Sequence, residues 1–137
     1  MTVRLIKIAV VYLVIGMSLG VGMGMSHNFL FRSVHAHVNL LGWASIALAA
    51  LVFHVFPETA RTRLATVWFW LYNVSMPVGL GGIALVMAGY KWAEPALIAG
   101  QLGIWTAGLI FAINIFWALR SKSVADDVVV RSPVAAR

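Results

Sequence analysis

Residues 34–56 read VHAHVNLLGWASIALAALVFHVF, an unbroken apolar stretch without Asp, Glu, Lys or Arg. A helix needs about 20 such residues to cross the hydrocarbon core of a bilayer. Three further apolar blocks of similar length occupy residues 3–25, 65–89 and 95–119. The sequence therefore predicts an all-α fold, an integral membrane bundle of four transmembrane helices.

The composition of the whole chain agrees with a membrane environment. Of its 137 residues, 62% are hydrophobic and 10% are charged, whereas a soluble domain carries about 25% charged residues. The chain has no cysteine. This excludes disulfides, iron–sulfur clusters, thiolate-ligated haem and haem attached through a C-x-x-C-H motif.

The basic residues indicate how the chain is oriented. The formal net charge of +6 is distributed by loop and is not gathered into a patch that would bind nucleic acid. With both termini in the cytoplasm, eight of the ten Lys and Arg residues lie inside, and only Arg32 and Lys91 lie outside, as the positive-inside rule requires. We therefore expect an up-down, multi-pass protein of a bacterial-type inner (cell) membrane, with both termini cytoplasmic and the lipid bilayer as a partner.

The short loops predict a single transmembrane domain over residues 1–120, followed by a cytoplasmic tail over residues 121–137. The first block has a basic start, as a signal peptide does. Its apolar stretch exceeds the roughly 7–15 residues of a signal-peptide core, and no small-residue cleavage site follows it. We interpret it as a true span.

Glycines recur inside the predicted helices. Gly16, Gly20 and Gly24 are spaced by four residues in the first span, a spacing that lets helix backbones approach closely. This pattern suits packing within the bundle and a homodimer face equally well. In the third span, Pro77 and the glycines that follow it are expected to kink or loosen the helix within the membrane.

Two histidines near the start of the second span are candidate ligands. His35 and His37 stand in an apolar run, where ionisable side chains are rare and usually functional, and neutral imidazole is the commonest metal ligand. The two diverge by about 200° on a helix, so they do not face one iron from the same side. Asn39 lies one turn below His35. His54 lies about 28 Å from His35 along the helix, which favours an interfacial role.

Another candidate site lies at the outer end of the first span, where Met23, Met25 and His27 alternate. Thioether and imidazole groups suit Cu(I), although the same residues also suit apolar packing. No Asp or Glu stands in the centre of a span. A carboxylate-based proton pump or cation transporter would therefore lack its usual groups.

Three stretches resemble the catalytic subunit of haem–copper oxidases and nitric oxide reductases. RSVHAHVNLLGW (32–43) resembles the second helix of that family, which begins at the outer side with an axial ligand of the low-spin haem. FPETARTRLATVWFWLYN (56–73) is similar to the entry into its third helix, and YKWAEP (90–95) to a loop before its fourth. The resemblance covers roughly residues 10–100.

The resemblance implies a haem b protein with His35 as axial ligand, since HAHVN matches the family's H-A-x-V pattern at that residue. His37 or His27 of the same chain, or His35 of a second copy across a two-fold axis, would supply the second ligand. Asn39 and Arg32 are expected to contact the cofactor, with Arg32 beside a propionate. The ligands of the binuclear centre lie in later helices of the family, so no catalytic residue and no reduction of oxygen or nitric oxide is implied.

The expected role is electron transfer or gas-ligand binding at the outer side, with a homo-oligomer and a respiratory-chain electron donor as expected partners. One alternative is a non-haem accessory or assembly subunit of a respiratory membrane complex. The other is a copper site at the outer side.

Overall fold

Four long helices make up a computed structural model of the chain, which describes the backbone of residues 1–131 and the side chains of residues 1–120. They are α1 (Thr2–Ser26), α2 (Arg32–Val55), α3 (Arg63–Met87) and α4 (Glu94–Arg131). The described part of the chain contains no strand, which confirms the all-α prediction. Residues 132–137 of the predicted tail lie outside the described residues.

Each helix begins within two residues of its predicted block, and the first three also end within two residues of theirs. The last helix instead continues to Arg131, into the predicted tail. Each of the four has the length and apolar character needed to cross a membrane, with α4 contributing its part up to Arg120. Large apolar side chains are exposed along the outside of the bundle, among them Val14 (58%), Leu48 (60%) and Phe116 (79%). A soluble monomer rarely exposes so much contiguous apolar surface. The structure therefore supports a multi-pass membrane protein.

An unexpected irregularity interrupts α2. The helix is α-helical over Arg32–His37 and Ile46–Val55 but forms a π-helix over Val38–Ser45. Two side chains donate hydrogen bonds to carbonyl oxygens of this segment. Ser45 Oγ donates to Leu40 O over 2.9 Å, and Tyr72 Oη of α3 donates to Leu41 O over 3.1 Å. Backbone groups at membrane depth need such partners, and π-segments occur frequently at functional sites.

The sequence predicts that Pro77 and the glycines after it kink or loosen the third helix. The structure has α3 as one continuous helix from Arg63 to Met87, with Pro77 inside it. Helix-breaking residues are tolerated in membrane helices when neighbouring groups satisfy the freed backbone. The departure from regular α-helical geometry falls in α2 instead.

Glycines of α1 and α2 bring these two helices together. A Cβ atom added to Gly16 would lie 2.5 Å from Asn39 Nδ2, and one added to Gly20 would lie 2.9 Å from His35 Cε1. The α2 helix also contributes a glycine, because a Cβ at Gly42 would lie 2.7 Å from the ring of Tyr12 in α1. The small residues of α1 therefore serve packing within the chain at Gly16 and Gly20. Gly24 has no such neighbour.

A second set of glycines joins α3 to α4. A Cβ at Gly100 would collide with the backbone of Gly79, and a Cβ at Gly82 would lie 2.5 Å from the backbone of Leu97. Contacts this close are the membrane counterpart of tight core packing, because bilayer lipid provides no hydrophobic drive for helices to associate. These glycines accordingly serve contact between the two helices.

Side chains of α2, α3 and α4 form the core where the two helix pairs meet. Phe53 and Trp68 contact edge to face with ring centroids 5.4 Å apart, and Phe111 packs 5.1 Å from Trp68. Nearby, the buried amide of Asn114 donates to Thr59 O over 2.8 Å, and its oxygen accepts from Thr62 Oγ1. This polar contact ties the loop before α3 to α4.

Candidate functional site

His35 lies in the first turns of α2 with its ring against α1. Its Nδ1 atom is 2.8 Å from the carbonyl oxygen of Gly16. A carbonyl only accepts hydrogen bonds, so this contact requires the proton of a neutral imidazole to sit on Nδ1. The lone pair then resides on Nε2. A histidine that ligates a metal is usually oriented in this way, with its other ring nitrogen donating to a carbonyl or a carboxylate.

The second ring nitrogen of His35 is left available. Within residues 1–120, no side chain or backbone group forms a hydrogen bond with Nε2. The ring itself is half-buried. A half-buried imidazole with a fixed tautomer and an unengaged Nε2 has the donor chemistry that haem iron or another transition metal requires.

Asn39 supports this arrangement from one turn further along α2. Its Nδ2 donates to the backbone carbonyl of His35 over 2.8 Å, and its side chain packs against Gly16. The same Nδ2 lies 3.4 Å from His35 Nδ1. Both nitrogens carry hydrogen when Nδ1 donates to Gly16, so we interpret the 3.4 Å contact as proximity. Asn39 therefore positions the helix turn that carries His35.

Gly20 determines how closely the ring approaches α1. The nearest atom to an added Cβ would be His35 Cε1 at 2.9 Å, a distance that real Cβ contacts essentially never reach. A glycine is therefore required at this position for the observed ring placement. Gly16 and Gly20 together form a notch, hereafter the Gly16–Gly20 notch, that receives the side chains of Asn39 and His35.

His37 has a different environment. Its Nδ1 lies 2.8 Å from Ser33 O, one turn earlier in the same helix, and so donates to it. This interaction also leaves the lone pair on Nε2. The two histidines are held by different carbonyls on divergent sides of α2. The Nε2 atom of His37 therefore also carries a free lone pair, but the His37 side chain does not lie in the Gly16–Gly20 notch.

The remaining predicted haem contacts lie at the surface. His27 is exposed and ends α1 with a left-handed backbone conformation (φ 51°). Arg32 is the first residue of α2 and is also exposed. Both stand at the end of α2 that carries His35. Among the described residues, neither forms a side-chain hydrogen bond with His35.

The predicted copper residues are separated by burial. Met23 is 9% exposed, whereas Met25 is 80% exposed, which is the divergence that two helical positions produce. His27 lies beyond the last turn of the same helix. Among the described residues, no group of three or more His, Cys, Asp or Glu side chains is placed to hold a metal ion.

The structure also contains an apolar cavity that the sequence did not indicate. It has a volume of about 370 Å³ and lies where α2, α3 and α4 meet, with Trp68 and Tyr72 of α3 in its wall. His35 does not line it. The cavity and the histidine are therefore separate features of the bundle.

The sequence partly indicated the contact between the two glycines of α1 and the two polar residues of α2. Gly16 and Gly20 are four residues apart, as are His35 and Asn39, and this shared spacing is what lets the two pairs meet. The roles of Tyr72 and of the Gly16 carbonyl had no comparable signal. Comparison with protein-family models, with curated proteins and with solved structures gave no match to this chain.

Proposed function

We propose that this chain is a small membrane haem b protein, with His35 as an axial ligand of the iron and a role in electron transfer or gas-ligand binding. The observation that carries the proposal is the 2.8 Å contact between His35 Nδ1 and Gly16 O. It fixes the tautomer that leaves Nε2 free to coordinate. The resemblance of residues 32–43 to the haem-ligating helix of the oxidase family supports the same assignment.

The proposal includes an up-down bundle with both termini in the cytoplasm of a bacterial-type cell. The order of contacts supports opposite helix directions. Going backwards along α1 from Gly20 to Gly16, the partners advance along α2 from His35 to Asn39. The charge distribution supports the orientation, since Arg32 and Lys91 alone among the basic residues fall in the two outer loops. His35 would then lie near the outer face.

Several residues of the chain would hold the cofactor, each in a different way. Gly16 would orient the imidazole of His35 through the hydrogen bond to Nδ1. Asn39 would hold the backbone of the ligating turn. Arg32, at the outer end, would pair with a propionate as a guanidinium–carboxylate contact. When bound, the haem would supply one-electron or gas-binding chemistry that no side chain here provides.

The second axial position distinguishes the two roles. A second imidazole from His37 or His27, or from His35 of another copy of the chain, would give a six-coordinate site suited to electron transfer from a respiratory-chain donor. A symmetric site would make the protein a homo-oligomer with two-fold symmetry. An open position would instead favour gas binding.

An absorption spectrum of the purified protein tests the proposal. The full chain is produced with added haem precursor, purified in detergent, and measured in oxidised and reduced form together with iron per protein. We expect a Soret band and sharp reduced α and β bands. A spectral shift with carbon monoxide would identify an open sixth position.

A folded, full-length protein without a Soret band after haem supplementation would overturn the proposal. Circular dichroism showing the expected helix content establishes that such a protein is folded. In that event the chain would be better described as a non-haem accessory or assembly subunit of a respiratory complex, and copper analysis would test the site at Met23, Met25 and His27.

A further inference from the structure

The apolar cavity separates the two helix pairs on one side of the bundle. On α2 its wall runs from Leu41 to Val52, about 16 Å along the helix axis. Phe111 of α4 forms the opposite wall, and Trp68 of α3 lies at the base. Leu48, in the α2 wall, is 60% exposed. The cavity is therefore a cleft that opens sideways, towards the surface that faces lipid.

The polar groups of the cleft limit what it can bind. Ser45 and Tyr72 are the lining residues that carry a hydroxyl group. Each hydroxyl donates its hydrogen bond to a carbonyl oxygen of the π-segment. They offer no donor to a guest, and the indole N–H of Trp68 is the one other side-chain donor among the lining residues. A ligand with several hydrogen-bonding groups would therefore be desolvated there without enough partners. A hydrocarbon chain has no such requirement.

The end of the bundle nearest the cleft is basic. The cleft reaches Val52, less than one turn from the end of α2, and Trp68, five residues after the start of α3 at Arg63. Arg61 lies just before α3, and Arg120 lies at the same end of the bundle under the proposed topology. Clustered Arg and Lys residues at a membrane surface attract anionic lipid headgroups.

We propose that the cleft between α2 and α4 binds one acyl chain of an anionic phospholipid from the leaflet at the Arg61–Arg63 end. The acyl chain lies against Leu48 and Phe111, and the phosphate headgroup lies among the arginines. The apolar walls of the cleft favour the acyl chain, and the basic end of the bundle favours an anionic headgroup. This site does not depend on haem, because no histidine lines the cleft.

Gly108 allows the cleft to be filled without disturbing the fold. It lines the cleft, and a Cβ added to it meets nothing within 4 Å. Gly108→Leu therefore places a side chain where the acyl chain would lie. Gly81 of α3 is an equivalent control, since it is also exposed with nothing within 4 Å and does not line the cleft.

Native mass spectrometry of the detergent-purified full chain gives the first measurement, after incubation with phosphatidylglycerol or phosphatidylcholine. We expect one retained phosphatidylglycerol in the wild type, a loss of about tenfold in Gly108→Leu and no change in Gly81→Leu. Arg61→Gln with Arg63→Gln should lower the preference for phosphatidylglycerol by about fivefold for each charge removed. Lys91→Gln, at the opposite end, should leave the preference unchanged.

Photolabelling gives a second measurement that does not depend on a variant. The wild-type protein is placed in phosphatidylcholine vesicles that contain phosphatidylglycerol with a diazirine in its acyl chain, and the labelled peptides are mapped. Labels concentrated on the α2 and α4 walls support the proposal. Labels spread evenly over the exposed faces of the helices, equal retention by Gly108→Leu, or equal retention of the two phospholipids would overturn it. The proposal would also be overturned if the wild type retained a molecule other than a phospholipid and Gly108→Leu lost that molecule.

Discussion

His35 Nδ1 and Gly16 O lie 2.8 Å apart although the two residues belong to different helices and are separated by nineteen positions in the chain. The hydrogen bond assigns the imidazole proton to Nδ1 and so leaves the lone pair on Nε2, the atom that would coordinate iron in the proposed haem site. It also occupies a helical carbonyl of α1 inside the membrane. The proposed ligand role and a packing role thus meet in one contact, and substitutions at His35 and Gly20 separate them.

Replacement of His35 by Ala should abolish the haem spectrum, because the proposed haem iron would lose its axial nitrogen. His54→Ala should leave the spectrum unchanged, since His54 is exposed near the far end of α2. Addition of free imidazole to His35→Ala should restore the Soret band, a result that a purely structural role would not produce. A normal spectrum in His35→Ala would remove this residue as the ligand.

Gly20→Ala should disturb the site without removing the ligand. The added Cβ would lie 2.9 Å from His35 Cε1, so the ring must shift away from α1. Overpacking of this kind costs about 1–3 kcal/mol, and we expect lower haem retention and an altered reduced spectrum. Gly24→Ala is the matched control, because nothing lies within 4 Å of its Cβ position. Equal behaviour of the two variants would contradict the packing described for the notch.

Tyr72→Phe should loosen the π-segment of α2. The variant removes the donor to Leu41 O, and hydrogen bonds between membrane helices contribute about 0.6 kcal/mol on average and up to about 1.7 kcal/mol. Unfolding in a denaturing detergent should show this loss, and hydrogen exchange should accelerate in Val38–Ser45. Tyr90→Phe, at an exposed position, provides the comparison. Unchanged exchange in Tyr72→Phe would mean that the π-segment does not depend on this hydroxyl.

Gly100→Ala should weaken the contact between α3 and α4. Its Cβ would meet the backbone of Gly79, which has no flexible side chain to move aside. We expect destabilisation at the upper end of about 1–3 kcal/mol for overpacking. Gly108→Ala, on the same helix but in open space, should be neutral or stabilising by up to about 1 kcal/mol, because Ala favours helix. The measurement is again detergent unfolding, and similar stabilities would argue against the close approach.

Much of the fold follows from the sequence because the membrane imposes a simple rule on helix length and polarity. The block at residues 34–56 and the helix Arg32–Val55 nearly coincide for this reason. The π-segment within that helix does not follow, because one of its hydrogen-bond partners, Tyr72, belongs to another helix. Local pattern carries no information about such a partner.

The candidate site could likewise be predicted from the sequence only in part. His35 and Asn39 stand out in sequence because polar residues are rare within spans. The glycine spacing of α1 was compatible with both internal packing and a dimer face, and only the pairing of α1 with α2 decides between them at Gly16 and Gly20. The cleft beside Trp68 is a property of how two helix pairs meet, and no single segment encodes it.

The Gly16–Gly20 notch has a consequence for how α1 and α2 find their alignment. Because Gly24 continues the spacing of four, a slide by one helical turn would offer His35 and Asn39 a second pair of glycines, Gly24 and Gly20. Glycine spacing alone therefore leaves two registers nearly degenerate. Tyr12, whose ring rests on Gly42, loses that contact in the shifted register. An aromatic ring one helical turn before Gly16 thus selects which carbonyl of α1 the histidine meets.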